Sequence, residues 1–569
     1  MFEMETYKIF DGKQDSLIEM TLGDLLDKVA TVYPDNDCVV CNDKPFRKTY
    51  KEFKEECDIV ARGLMALGVE KGSHVAIWAT NYPEWIVLMY ATAKIGATLV
   101  TVNTNYKVFE AEYLLRQSDT DTLVMMEGLK DTNYTDIINE LCPELKNSEP
   151  GHMECDNLPY LKRVIYLDNK ENTPKGMLHW SQLHELAQQV TEEQRKERQA
   201  SVHYHDVVNM QYTSGTTGFP KGVMLTHYNI LNNGKSIGDN QVLTYRDRVC
   251  LPVPFFHCFG CVLGIMACIT HGATIVPVER YNPVRVMKTI QDEKCTATYG
   301  VPTMYIAMLE HPDFPKYDFS TLRTGIMSGS PCPIKVMEQV VNLMHMSEIT
   351  IPYGLTEVSP VCTMTNTQDS IEKRVSTVGR KMPFIEVKLV DPETGEDVPP
   401  NVQGEVVIRG YSVMKGYYKM SEATAQTIDK DGWLHSGDLA MMDNDGYFNI
   451  TGRIKDMIIR GGENIYPKEL EEFLYTNPKV KDVQVIGVPD KNYGEEVCAC
   501  VILKEGETAT EDELKEFIRV NLSRHKMPRY IWFMEKFPMT ASGKIQKYKM
   551  REMAVDALHL ADAASIVTA

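Results

Sequence analysis

Apolar residues recur along the chain in two rhythms. Phe53, Val60, Leu64 and Leu67 are spaced as one face of a helix, and Gly68 marks its end. Thr49 with Glu52, and Thr21 with Asp24, stand at capping-box spacing and predict two helix starts. Between such stretches lie short runs at 75–78, 98–102, 122–125 and 164–167 that are β-branched or apolar throughout, as strands buried on both faces are. Helix and strand therefore alternate from residue 21, and this layout predicts a parallel sheet flanked by helices. Residues 128–160 are polar and carry Pro143, Pro150 and Pro159, so they read as a surface excursion. A further strand, 207–212, leads straight into a segment rich in Gly, Ser and Thr.

The rhythm changes after residue 375 to short strands, such as 386–390 and 405–409, separated by Gly and Pro turns. That pattern predicts a small barrel or antiparallel sheet. Beyond Gly452 a smaller domain is expected, with strands at 457–459, 483–488 and 497–503, a helix after Pro467 and another over 510–522. The Ala-rich residues 554–569 read as a loosely ordered tail. The fold class is α/β: a large N-terminal domain of helix-flanked sheets with a β-barrel-like subdomain (1–452), a hinge (453–456), and a smaller mobile α+β C-terminal domain (457–569).

A chain of 569 residues exceeds one hydrophobic core, which agrees with two domains. The net charge of -19 excludes a nucleic-acid partner, because no excess of Lys and Arg exists to neutralise a phosphate backbone. Residues 519–551 are the exception, with nine Lys and Arg against Glu535 alone. A solvated face and a small phosphate-bearing ligand both account for that run. No apolar run is long enough to span a bilayer, and the first ten residues lack a secretory apolar segment, so a cytoplasmic protein is expected. The fourteen cysteines are expected as reduced thiols. The pairs Cys38 with Cys41, and Cys258 with Cys261, lack the turn glycines and spacing of a zinc site.

The candidate chemistry centres on residues 212–222, Y-T-S-G-T-T-G-F-P-K-G. Three glycines allow backbone N–H groups to approach an anion, Thr213, Ser214, Thr216 and Thr217 add hydroxyl donors, and Lys221 adds a cation. Measured from Gly215, the lysine has the offset of a Walker A loop. Pro220 replaces that loop's second glycine, however, and Gly222 replaces its magnesium-binding hydroxyl. A proline there also disfavours the helix that a Walker A loop would launch.

The eleven residues resemble the signature of the adenylate-forming superfamily, which includes acyl-CoA synthetases, carrier-loading adenylation domains and firefly-type luciferases. Further motifs follow in that family's order. The resemblance implies that Thr213, Ser214, Gly215, Thr216, Thr217, Gly218 and Lys221 grip the phosphates of ATP. Gly329, Ser330 and Pro331 would line the adenine, Tyr353 would stack on it with Gly354 beside it in the nucleotide site, and Thr356 would donate to the α-phosphate while Glu357 holds magnesium. Asp438 would accept from the ribose hydroxyls, a diol suited to an ionised carboxylate, with Arg453 as a second contact. Phe256, His257, Gly260, Met327, Ser328 and Val358 would form the acyl pocket, although a packed core histidine is an equal reading of His257. That lining has no fixed charge and favours an apolar monocarboxylate.

By the same resemblance, Lys544 in P-M-T-A-S-G-K is the catalytic lysine at the carboxylate and α-phosphate. Lys455 is the hinge about which the small domain turns, and Gly461, Gly462 and Glu463 border the coenzyme A tunnel. The activity implied is that of an AMP-forming fatty acyl-CoA synthetase, with a medium-chain fatty acid as the expected substrate and ATP, Mg2+ and coenzyme A. A stand-alone enzyme loading a carrier protein, a luciferase-type oxygenase and a non-catalytic nucleotide-binding protein are the alternatives.

Overall fold

The structure is a computed structural model that describes residues 9–10, 16–129, 132–213, 220–329, 332, 334–460, 463–465, 467–490, 493–521, 526–540 and 545–561, with backbone alone at 455, 463, 464, 520 and 521. It contains two compact units, the first formed by Met1–Val387 and Ile408–Leu434, the second by Lys388–Val407 and His435–Ala569. Among the described residues no helix is long and apolar enough to cross a membrane.

Two large sheets carry the first unit. In one, Glu348–Thr350, Thr324–Met327, Ala297–Gly300, Arg248–Leu251, Thr274–Pro277 and Asp37–Cys41 lie side by side and parallel, with Phe46–Thr49 antiparallel at the edge. In the other, Val207–Thr213, Thr98–Thr101, His74–Trp78, Thr122–Met125, Arg163–Tyr166 and Leu178–His179 form the parallel part. The short apolar runs are these strands, and their side chains are buried on both faces as their composition requires. Both predicted helix starts hold. Thr49 and Glu52 form a reciprocal capping box at the head of Tyr50–Ala66, and Thr21 accepts from the Asp24 backbone N–H at the head of Leu22–Val32.

Residues 128–160 differ from the expected surface excursion. Tyr134–Leu141 is a helix capped by Asn133, and Tyr134, Ile137, Ile138 and Leu141 are all buried. Their i, i+3, i+4, i+7 spacing was hidden by the polar residues and prolines around it. Cys142 and Cys155 are joined there as a disulfide, which corrects the expectation of reduced thiols at this pair. The other twelve cysteines are free, and Cys38 and Cys41 sit in the buried strand Asp37–Cys41.

In the second unit Val480–Asp490 and Gly494–Leu503 form a long antiparallel hairpin, with Tyr530–Phe533 parallel beside the latter. The hairpin is apolar on both faces. Val483 and Val485 join a core with Leu470, Leu474 and Ile518, whereas Ile486 and Val488 join Cys498, Cys500, Met550 and Ala554. The last three belong to a strand and to the helix Lys547–Ala557, so residues 554–557 are packed structure and not part of a loose tail.

Candidate functional site

Thr213 and Lys221 face each other across the final pair of an antiparallel hairpin built by Val207–Thr213 and Lys221–Thr226. Ser214, Gly215, Thr216, Thr217 and Gly218 lie outside the described residues. Because Val207–Thr213 runs parallel to Thr98–Thr101, the segment leaves the sheet at its carboxyl edge, where open α/β sheets bind ligands. The chain returns as a strand, not as the helix of a Walker A loop, in keeping with Pro220.

One helix, Val108–Gln117, holds both ends of this segment. Tyr113 Oη donates to the Pro220 carbonyl at 3.1 Å, and the Tyr212 hydroxyl donates to the Gln117 side-chain oxygen. The Gln117 amide donates in turn to the Tyr418 carbonyl at 2.7 Å, and the Tyr418 N–H donates to the Gly222 carbonyl at 2.8 Å. Burial pushes the Tyr212 phenol far above its usual range, so it stays a neutral donor at any working pH. None of these helix contacts is signalled by a motif.

Tyr353 and Gly354 end a short strand, Pro352–Gly354, and Thr356–Val358 forms a 3-10 turn directly after it. Gly354 admits no side chain, since a Cβ would stand 1.8 Å from the Pro360 carbonyl oxygen. Glu357 is half-buried and accepts at Oε1 from the hydroxyl of Tyr417 at 2.8 Å. The ammonium of Lys221 lies 4.8 Å from the centroid of that same ring, within cation–π range. Lys221 and Glu357, far apart in sequence, are thus brought to one side chain that sequence reasoning missed.

The acyl motif is a turn that enters the π-helix Phe259–Met266. His257 is half-buried and caps that entry: its Nδ1 accepts from the Phe259 N–H at 3.1 Å, and its carbonyl accepts from the N–H groups of Gly260 and Cys261 at 2.9 and 3.1 Å. The ring is thus tied by Nδ1 to the start of the helix and is half-buried. A Cβ on Gly260 would meet the Pro254 carbonyl oxygen at 2.3 Å, so the turn needs glycine. The buried Asn81 fixes the strand end before it, accepting from the Phe255 N–H at 2.9 Å and donating to the Val253 carbonyl at 2.9 Å. Nothing in the sequence marked Asn81.

Met327 and Val358 are fully buried and Phe256 half-buried, all apolar. Ser328 Oγ donates to the Pro352 carbonyl at 2.9 Å, tying the Met327–Gly329 turn to the Tyr353 strand. Gly329 sits at φ +93, a glycine conformation. Ser330 and Pro331 lie outside the described residues. The acyl and nucleotide motifs meet at Cys258, whose Sγ is 3.6 Å from Thr356 Oγ1.

In the second unit, Asp438 and Arg453 are register partners in the antiparallel pair Leu434–Met442 and Phe448–Arg453. Arg453 Nε donates to Asp438 Oδ1 at 2.8 Å, with Asp438 buried at 6 % exposure and the arginine side chain at 63 %. Glu405, buried and absent from the motif reading, braces the approach: it accepts from the Gly437 N–H and meets His435 Nδ1, both at 2.9 Å. Lys455 lies in the 3-10 turn Ile454–Asp456, and the backbone of Glu463 pairs with Arg460. Gly461, Gly462 and Lys544 lie outside the described residues.

The profile of the AMP-binding enzyme family matches residues 26–418, and that of the AMP-binding enzyme C-terminal domain matches 469–544. A Bacillus subtilis (strain 168) protein named "Putative acyl-CoA synthetase YngI" is 55% identical over 544 residues, 96% of this chain and 99% of that protein. The mitochondrial medium-chain acyl-CoA ligase ACSF2 of Danio rerio is 42% identical over 535 residues, 94% of this chain and 88% of that one. The crystal structure of the anthranilate CoA ligase AuaEII in complex with anthranoyl-AMP superposes with a TM-score of 0.81 at 26% identity, covering 96% and 99% of the two chains. A Mycobacterium tuberculosis fatty acyl CoA synthetase gives 0.72 at 28% identity, covering 94% and 99%.

Proposed function

The chain belongs to the AMP-binding enzyme family, and from that premise we propose that it is an AMP-forming acyl-CoA ligase acting on apolar, medium-chain carboxylic acids. The observation that carries this reading is the meeting of the acyl motif with the nucleotide motif at Cys258 and Thr356, beside apolar Met327 and Val358. A carboxylate cannot lose hydroxide to a thiol at neutral pH. Its oxygen first attacks the α-phosphorus of ATP, pyrophosphate leaves, and an acyl-adenylate forms. The thiol of coenzyme A then adds to the acyl carbonyl and AMP departs.

Each half-reaction has its residues. Thr213, Lys221 and the segment between them hold the phosphates that leave as pyrophosphate. Tyr353 and Gly329 flank the adenine, Thr356 donates to the α-phosphate, and Asp438, oriented by Arg453, accepts from the ribose diol. His257 walls the acyl end, and the apolar lining favours an apolar acid over one that carries an ammonium group.

Glu357 fits a magnesium ion shared with substrate. It is a hard oxygen ligand of the kind that holds magnesium together with substrate phosphates, whose oxygens would complete the shell. When bound, magnesium neutralises charge on the departing pyrophosphate. Lys544 offsets charge at the α-phosphate during adenylation, and rotation about Lys455 then exchanges it for the Gly461, Gly462 and Glu463 segment that admits the thiol. The test is product analysis with ATP, magnesium, coenzyme A and straight-chain acids from short to long. Acyl-CoA and AMP are expected in equal amounts with an optimum at medium chain length; adenylate formed without transfer to coenzyme A would favour a carrier-loading enzyme instead.

A further inference from the structure

Tyr417 belongs to none of the nucleotide motifs, yet it touches two of their charged residues at once. Its hydroxyl donates to Glu357 Oε1 at 2.8 Å, and the Lys221 ammonium stands 4.8 Å from its ring centroid. The residue is buried at 6 % exposure and its backbone is fixed. It pairs with Val223 in the strand that follows Lys221, and its N–H donates to Thr424 Oγ1 at 2.9 Å. Gly416 before it adopts φ +138, with Thr424 Cγ2 3.0 Å from where a Cβ would stand, so the approach is glycine-specific.

We infer that Tyr417 is a positioning residue that holds Lys221 and Glu357 apart in charge but together in space, so that one faces phosphate and the other metal. The inference rests on Glu357 as the magnesium carboxylate. A lysine and a glutamate turned toward the same triphosphate attract each other, and a direct ion pair would cancel the cation that phosphate needs and the anion that magnesium needs. Tyr417 offers each a partner without net charge. The ring face attracts the ammonium through its quadrupole, and the hydroxyl donates to the carboxylate without neutralising it. Fixing one carboxylate oxygen also sets the direction of the other.

The experiment measures Mn2+ affinity by electron paramagnetic resonance, on the full chain with a non-hydrolysable ATP analogue, for wild type, Tyr417→Phe, Tyr417→Leu and Glu357→Gln. Melting curves certify folding. Tyr417→Phe is expected to weaken Mn2+ about three- to tenfold, the effect of one hydrogen bond to a charged group in a partly open site. Its affinity for the metal-free analogue should stay unchanged, because the ring under Lys221 remains. Tyr417→Leu loses ring and hydroxyl and is expected to weaken both. Glu357→Gln should weaken Mn2+ most. Wild-type Mn2+ affinity in either folded Tyr417 variant, with Glu357→Gln impaired, would overturn the positioning role and leave the ligase reading intact. Wild-type Mn2+ affinity in Glu357→Gln would remove Glu357 as the metal ligand and the positioning role that rests on it.

Discussion

Asp438 shows how a single motif residue depends on neighbours that no motif names. Its carboxylate is buried, one oxygen is engaged by Arg453, and the Gly437 turn before it is braced by Glu405. The Asp could be read from H-S-G-D; the Glu could not, because its partner is thirty residues away and the pairing exists only after folding. The same holds for Tyr417 and Asn81, whose roles come from contacts across strands. Asp438→Ala is expected to raise the KM for ATP about 10- to 100-fold, the scale of losing hydrogen bonds to a charged group. The KM for the acid should move little. Steady-state kinetics with each substrate varied in turn check this, and an equal rise in both would point to general disruption of the fold.

At the scale of elements, the sequence pattern located the buried strands well because each is a short apolar run with a single structural solution. It failed where polar residues are internal. Lys94, at 0 % side-chain exposure, lies in the largely apolar helix Pro83–Ile95 and contacts Asp58 at 2.6 Å and Asp27. Arg195 of Glu192–Ala200, 1 % exposed, is 3.4 Å from the same Asp58 carboxylate. Four helices of the first unit are joined by this network, and periodicity cannot reveal it. Lys94→Met removes the buried cation between Asp58 and Asp27 and is expected to cost about 3 kcal/mol of stability, the low end for breaking a buried pair, because Lys54 and Arg195 still face Asp58. Chemical denaturation measures that loss, while turnover per folded molecule should be retained.

The same network sets a pH dependence. Burial alone would raise the pKa of Asp58, but Lys94 and Arg195 outweigh it and hold the carboxyl below the usual range. A lowered folded-state value means that the stabilisation is complete above the unfolded carboxylate pKa of about 3.9 and is lost as pH falls through the folded value. Acid unfolding of wild type should therefore include a steep proton-linked component that Lys94→Met diminishes.

At the scale of the whole molecule, two compact units each carry part of the proposed site. The first holds Lys221, Thr356, Glu357 and the proposed acyl lining, and the second holds Asp438, Arg453 and Lys455. That a large domain is followed by a smaller one was legible in the sequence, with the smaller one expected beyond Gly452 and the change of rhythm after residue 375 read as a subdomain of the large one. The order of the motifs along the chain was legible too, because glycines, prolines and charged residues at fixed spacing survive without any knowledge of packing. How the segments are held was not, since the clamps on residues 212–222 come from a helix a hundred residues earlier.

The central claim is that an acid is activated as its adenylate before any thiol is involved, and that Lys544 serves this step. Acid-dependent exchange of labelled pyrophosphate into ATP, without coenzyme A, tests it most directly in wild type and Lys544→Ala. Wild type should exchange only when an apolar acid is present, and the variant should lose about a hundredfold or more, the scale of removing one charge-stabilising group. Exchange by the variant at the wild-type rate, or no exchange by wild type with any acid, would contradict the account.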